Sequence, residues 1–161
     1  MEKREHVLLK ENTLSEWFSD ERSDAKQLIK TADYHLNLPK TLSNKIQQLI
    51  KRCNEKIQHI QQWSYKYYRY QDELRRRLPP GLVEQIERYV SEYFQMKESF
   101  RSYKRKLGKL LGQVNIENAQ KILPDVDLIE ENIETLVSGM NRISQELLKH
   151  YEEKGLSQYG V

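Results

Sequence analysis

Residues 74–86 read Leu74-Arg75-Arg76-Arg77-Leu78-Pro79-Pro80-Gly81-Leu82-Val83-Glu84-Gln85-Ile86, and this stretch decides the fold. Two consecutive prolines offer no amide hydrogen, so a helix arriving from the left cannot continue through them. Gly81 is expected to permit a sharp reversal. On the left, Ile50, Cys53, Ile57, Ile60, Tyr67, Leu74 and Leu78 recur at three- and four-residue steps, with polar Ser64 and Gln71 in the same series. On the right, Leu82, Ile86, Tyr89, Tyr93, Met96, Phe100, Tyr103, Leu107, Leu110 and Val114 follow the same rule unbroken. A 3.5-residue spacing places each set on one helical stripe. The stripes lose contact with water only by packing on each other or on further helices. The prediction is a long helical hairpin over about 42–114.

Outward from the hairpin, Thr13 and Glu16 have capping-box spacing and open an N-terminal helical region. Its face is Leu14, Trp17, Phe18, Ala25, Leu28, Ile29, Ala32 and Leu36, with a potential break at Ser19-Asp20. Pro39 is expected to end it, because the residue before a proline avoids helical geometry. Thr41 or Ser43 then caps the first hairpin helix. After the hairpin, 115–123 reads as a short helical link with Asn115 as a cap. Pro124-Asp125 restarts the chain into a final helix striped by Val126, Ile129, Ile133, Leu136, Met140, Ile143 and Leu147, ending before Gly155. Its acidic start suits the positive end of a helix dipole. The fold class is all-α: an elongated antiparallel helical bundle on a long hairpin, with N- and C-terminal helices packed on it. Residues 1–161 form one domain, with 1–12 and 156–161 as loose termini.

The net charge of +3 hides a segregation. Residues 41–112 hold 16 Lys and Arg against 7 Asp and Glu, a balance of +9. Residues 1–40 hold 7 against 8, and residues 113–161 hold 4 against 9. If the hairpin arms pair symmetrically, Lys51, Arg52 and Lys56 lie opposite Arg101, Lys104, Arg105, Lys106 and Lys109 as one mid-bundle basic patch. Arg75, Arg76 and Arg77 form a second cluster at the turn. Such patches bind phosphates by releasing condensed counterions. Tyr65 and Tyr68, interleaved with Lys66 and Arg69, are candidates for stacking on unpaired bases, while Tyr67 belongs to the core and Tyr70 to its edge. Against this stands the plainer reading: a lysine-rich face is solvated, or is neutralised by the acidic start of the last helix.

Little in the chain suits catalysis. His6, His35, His59 and His150 are scattered, and no two have the four-residue spacing that aims both rings at one metal. Asp125 and Asp127 point apart on a helix, and Glu130 with Glu134 lacks a Glu-x-x-His partner. The sequence has no Gly-rich phosphate loop and no Cys-x-x-Cys, and no nucleophile–base pair is suggested by spacing. Cys53, the single cysteine, lies on the apolar stripe and reads as a buried small hydrophobe. No run of about 18 apolar residues exists, and Val7-Leu8-Leu9 is too short for a signal-peptide core. A cytoplasmic protein without cofactor, metal or membrane partner is expected.

These readings converge on a non-enzymatic helical subunit of a larger assembly. The favoured form is a nucleoprotein complex, in which the basic hairpin contacts RNA or single-stranded DNA backbone without reading sequence. In size, all-helical character and basic face, carried by Lys51, Arg52, Lys56, Arg101, Lys104, Arg105, Lys106 and Lys109, the chain resembles the small helical subunits of RNA-guided effector complexes. That resemblance is one of architecture and charge and rests on no motif. The alternative is a protein-only adaptor or chaperone-like coiled-coil partner. There Ser64 and Gln71 set helix register and the basic patch meets an acidic or helical protein surface.

Overall fold

The computed structural model describes the backbone of residues 13–156 and the side chains of residues 24–156. The described chain forms three helices: α1 (Thr13–Arg77), α2 (Pro80–Gln113) and α3 (Ala119–Glu153). The all-α bundle expected from the periodicity is present. Residues 1–12 and 157–161, read as loose termini, lie outside the described residues.

The α1–α2 turn is tighter than the sequence implied. Leu78 still donates to the Leu74 carbonyl, and Pro79, in extended geometry, directly precedes α2 at Pro80. The Pro79 carbonyl accepts from both Leu82 and Val83, so the missing proline donors fall where a helix start has no use for them. Gly81 is helical rather than the pivot; the one positive-φ glycine among the described residues is Gly155.

Two further prolines do not act as breaks. α1 is a single helix of 65 residues, about 98 Å long, that runs through Pro39. α3 runs through Pro124, so 119–123 belongs to it and only 114–118 links α2 to α3. A proline inside a helix costs about 3 kcal/mol. Leu38, Leu42 and Ile46 around Pro39, and Ile122 and Val126 around Pro124, are all buried. Each contributes roughly 1.5–3 kcal/mol, which exceeds that penalty at both places. Asn115 caps the link as expected, accepting from the Asn118 amide at 2.7 Å.

Contacts fix the topology. Trp63 meets Tyr93, Tyr68 stacks on Phe94 and Arg75 pairs with Glu87, so α1 and α2 are antiparallel. Glu92 pairs with Arg142 while Met96 packs against Gly139, so α3 is antiparallel to α2, and the Tyr93 and Ser144 hydroxyls share a hydrogen bond between them. Lys45 reaches Asp127 and Arg52 reaches Glu134, so α3 runs parallel to α1 and the three helices close a triangle. Ile86, Tyr93, Phe100 and Leu107, seven residues apart, form the buried column of α2. Val90 joins them, while Val83, Phe94 and Leu111 lie half-buried at the flank, so α2 presents apolar surface to both neighbours.

α1 carries an unbroken seven-residue repeat. Counted from Ala25, its first positions are Ala25, Ala32, Pro39, Ile46, Cys53, Ile60, Tyr67 and Leu74. The last five of these are buried, as is Leu38 on the neighbouring face. Residues 24–37, by contrast, are exposed or, at His35, half-exposed. The N-terminal helical region was expected to pack on the hairpin as a separate helix; it continues α1 past the bundle as an arm. α2 and α3 are only 34 and 35 residues long and are used up alongside the body of α1.

At the other end, the Gly155 amide donates to Glu152 and the Leu156 amide to Tyr151, closing α3 in the two-bond pattern that requires a left-handed residue. Leu156 is buried, which corrects its assignment to a loose tail.

Candidate nucleic-acid interface

The basic residues divide by what holds them. Arg52 is engaged by Glu134 of α3 through both guanidinium nitrogens. Lys45, one helical layer away, is gripped by Asp127 at 2.8 Å and Glu130 at 3.2 Å. The Asp127 hydrogen bond leads the influences that hold the Lys45 ammonium above its ordinary range, against the opposing effect of desolvation. The plainer reading, that the acidic start of the last helix neutralises part of the basic patch, holds for Arg52 of α1, because parallel packing aims that acidic stretch at α1 rather than at 101–109. Arg101 is held locally by Glu98 at 2.7 Å.

Lys51, Lys56, Lys104, Arg105 and Lys109 form no ion pair among the described residues. Lys106 lies 5.7 Å from the centre of the Tyr103 ring, a contact that leaves its charge uncompensated. Lys51, Lys104, Arg105, Lys106 and Lys109 are all exposed. At 100° per residue, Lys104, Arg105 and Lys106 fan around the outer half of α2 rather than forming one line. Burial pushes the Cys53 thiol up to about 11, against the opposing influence of the Arg52 and Lys104 charges. Lys56 stands apart. With His59, Asn141, Ser144 and Gln145 it lines an α1–α3 groove of about 290 Å³ that no α2 residue enters. Burial first, and then Lys56, lower the His59 pKa.

The turn cluster is largely spoken for. Arg75 donates to Glu87 at 2.8 Å, Arg77 pairs with Glu73 at 2.8 Å and Arg76 donates to the Asp72 carbonyl at 3.4 Å. Tyr65 is 71% exposed and Tyr68 53% exposed. Tyr68 stacks against Phe94 at 6.1 Å and forms one wall of an α1–α2 groove of about 310 Å³, with Tyr67, Gln71, Arg75 and Glu87. Tyr67 is buried and Tyr70 half-buried, as their places in the repeat imply.

Sequence reasoning placed polar Ser64 on the core stripe but missed other polar groups buried in the bundle. Trp63 packs edge-on to Tyr93 at 4.9 Å and stacks on Tyr67 at 5.7 Å. The Trp63 indole nitrogen, the Ser64 hydroxyl, His150 Nε2 and the Tyr151 hydroxyl are buried without a hydrogen-bond partner among the described residues. The polarity of Ser64 within an apolar stripe and the aromatic density of 63–70 were the signals for these groups, while His150 and Tyr151 gave none. Among the described residues no three His, Cys, Asp or Glu side chains gather to hold a metal, and no helix is long and apolar enough to cross a membrane. Comparison with protein-family models, curated proteins and solved structures gives no significant match.

Proposed function

We propose that the protein is a non-enzymatic helical subunit of a larger assembly and that the outer face of α2 contacts nucleic-acid backbone without reading bases. One observation supports this above the others: Lys104, Arg105, Lys106 and Lys109 crowd within six residues, exposed and without a carboxylate partner among the described residues. Four uncompensated cations on a rigid helix repel one another, and a polyanion relieves that repulsion while releasing its counterions. Lys51 widens the cationic surface from α1, and exposed Tyr65 offers a ring on which an unpaired base stacks. Arg52 and Arg101, already paired, contribute less.

The test is binding of a short random single strand across a salt series. The reading requires log affinity to fall with log salt by about 0.7 per phosphate contacted. An affinity unchanged by Lys104→Glu, Arg105→Glu and Lys106→Glu together rejects it. The second reading, a protein-only adaptor, draws support from the exposed apolar residues Leu28, Ile29 and Leu36 on the arm of α1. It requires no strand binding at all.

A further inference from the structure

The α1–α2 groove breaks the apolar rule of the bundle. The core stripe of α1 is apolar at Tyr67, Leu74 and Leu78 but polar at Gln71, and Gln71 lines this groove. A glutamine on a core stripe is costly unless it faces something polar. The wall beside it is aromatic. Tyr68 and Phe94 lie 26° from parallel with ring centres 6.1 Å apart, and Tyr68 remains 53% exposed. A ring left half in water beside a groove is a platform for another flat group. The one acid in the lining, Glu87, is cancelled by Arg75 at 2.8 Å. Lys97 stands 4.8 Å over the Phe94 ring and has no ion-pair partner among the described residues.

We infer that this groove seats one unpaired nucleobase of a single strand, flat against Tyr68 and Phe94, with the adjoining phosphate on Lys97. The inference rests on the strand binding set out above and adds a base seat to it. The volume, about 310 Å³, falls at the small end of ligand pockets, which run from about 300 to 1,000 Å³. Gln71 and Ser91 supply donors and acceptors for the edge of a base. Stacking needs a free π-face, which a base inside a duplex lacks, so the occupant is single-stranded. Every base has such a face, so the seat holds a base without identifying it.

The groove also leads to the exposed cations. Val90 in its lining, Lys97 and Lys104 are seven residues apart and share one flank of α2. The Lys104 charge acts on the Cys53 thiol of α1, so that flank faces α1. At 1.5 Å per residue each seven-residue step covers about 10.5 Å. No α3 residue lines the groove, which leaves one path from the base seat along Lys97 to Lys104 and its neighbours.

The test measures binding of two labelled strands of equal length to the full chain by anisotropy: oligothymidylate, and the same sugar–phosphate backbone without bases. Oligothymidylate should bind about tenfold tighter, the contribution of one base–aromatic stack. Tyr68→Ala should abolish that difference and Tyr68→Phe should keep it, both with an unchanged salt slope, because no charge is lost. Tyr68 is exposed, so a melting temperature within a few degrees of the parent confirms that the variants fold; the strand comparison itself needs no variant. Lys97→Gln should lower the slope by about 0.7 for both strands. Equal affinity for the two strands, or a preference that survives Tyr68→Ala, overturns the base seat and leaves backbone binding standing. Binding of neither strand overturns both. Free thymidine monophosphate, which lacks the further phosphates that Lys104 and its neighbours contact, should compete at least ~100-fold more weakly than unlabelled strand. Equal potency overturns the strand as occupant.

Discussion

Arg52 on α1 holds the carboxylate of Glu134 on α3 in a two-pronged grip, and so turns one of the hairpin's cations inward to its own molecule. The pair is about half exposed, so it contributes no more than about 1 kcal/mol to folding. Its larger effect is on the charge left for a partner. Glu134→Gln should release Arg52, leave the melting temperature within a few degrees of the parent, and steepen the salt dependence of strand binding by about 0.7 in log–log slope. Isothermal binding at several salt concentrations checks this. An unchanged slope means that Arg52 faces no phosphate.

Neutralising Lys104, Arg105 and Lys106 to Gln should lower that slope by about 2 and weaken binding at low salt without shifting the melting temperature. All three side chains are exposed, so the change should cost little stability. Equal loss for every strand sequence tested is expected, because phosphate contacts carry no sequence information.

Burial raises the Cys53 thiol to about 11, and a thiol kept protonated is a poor nucleophile. Alkylation at pH 8 should therefore proceed only through unfolding, with a rate that rises with urea alongside loss of helix signal. The linkage sign follows. The folded pKa lies above the ordinary 9.0, so the stabilising contribution is complete below pH 9 and is lost as pH rises toward 11. Cys53→Ala should flatten that alkaline loss, at a cavity cost that lowers stability at every pH.

Gly155→Ala should destabilise the C-terminal end of α3 by about 1 kcal/mol, because φ of +67° places a Cβ against the chain. The closure also anchors buried Leu156, so loss should appear first as faster amide exchange at Leu156 and Gly155.

The hairpin was legible because nothing offsets two adjacent prolines: Pro79 and Pro80 remove consecutive donors at the point where both stripes can turn back on each other. Pro39 and Pro124 carry the same local signal but are outweighed by leucine, isoleucine and valine burial on either side, a tertiary effect absent from local pattern. The exposed cations at Lys104, Arg105 and Lys106 were legible as a run. The capture of Lys45 and Arg52 was not, because it depends on α3 lying parallel to α1. The arm's isolation was equally hidden, since its stripe looks like any core stripe until the lengths of α2 and α3 show that they are used up.

An uninterrupted α1 has one more effect. Because arm and body share a single backbone ladder, the rotational phase between the seam at Leu28 and the cations on Lys51 is locked as on one shaft. A single alanine inserted after Lys40 turns one end against the other by about 100° while altering neither surface. Whatever geometry the assembled state demands is thus written into the count of residues between 36 and 51, and spacing there is a tunable coordinate of assembly.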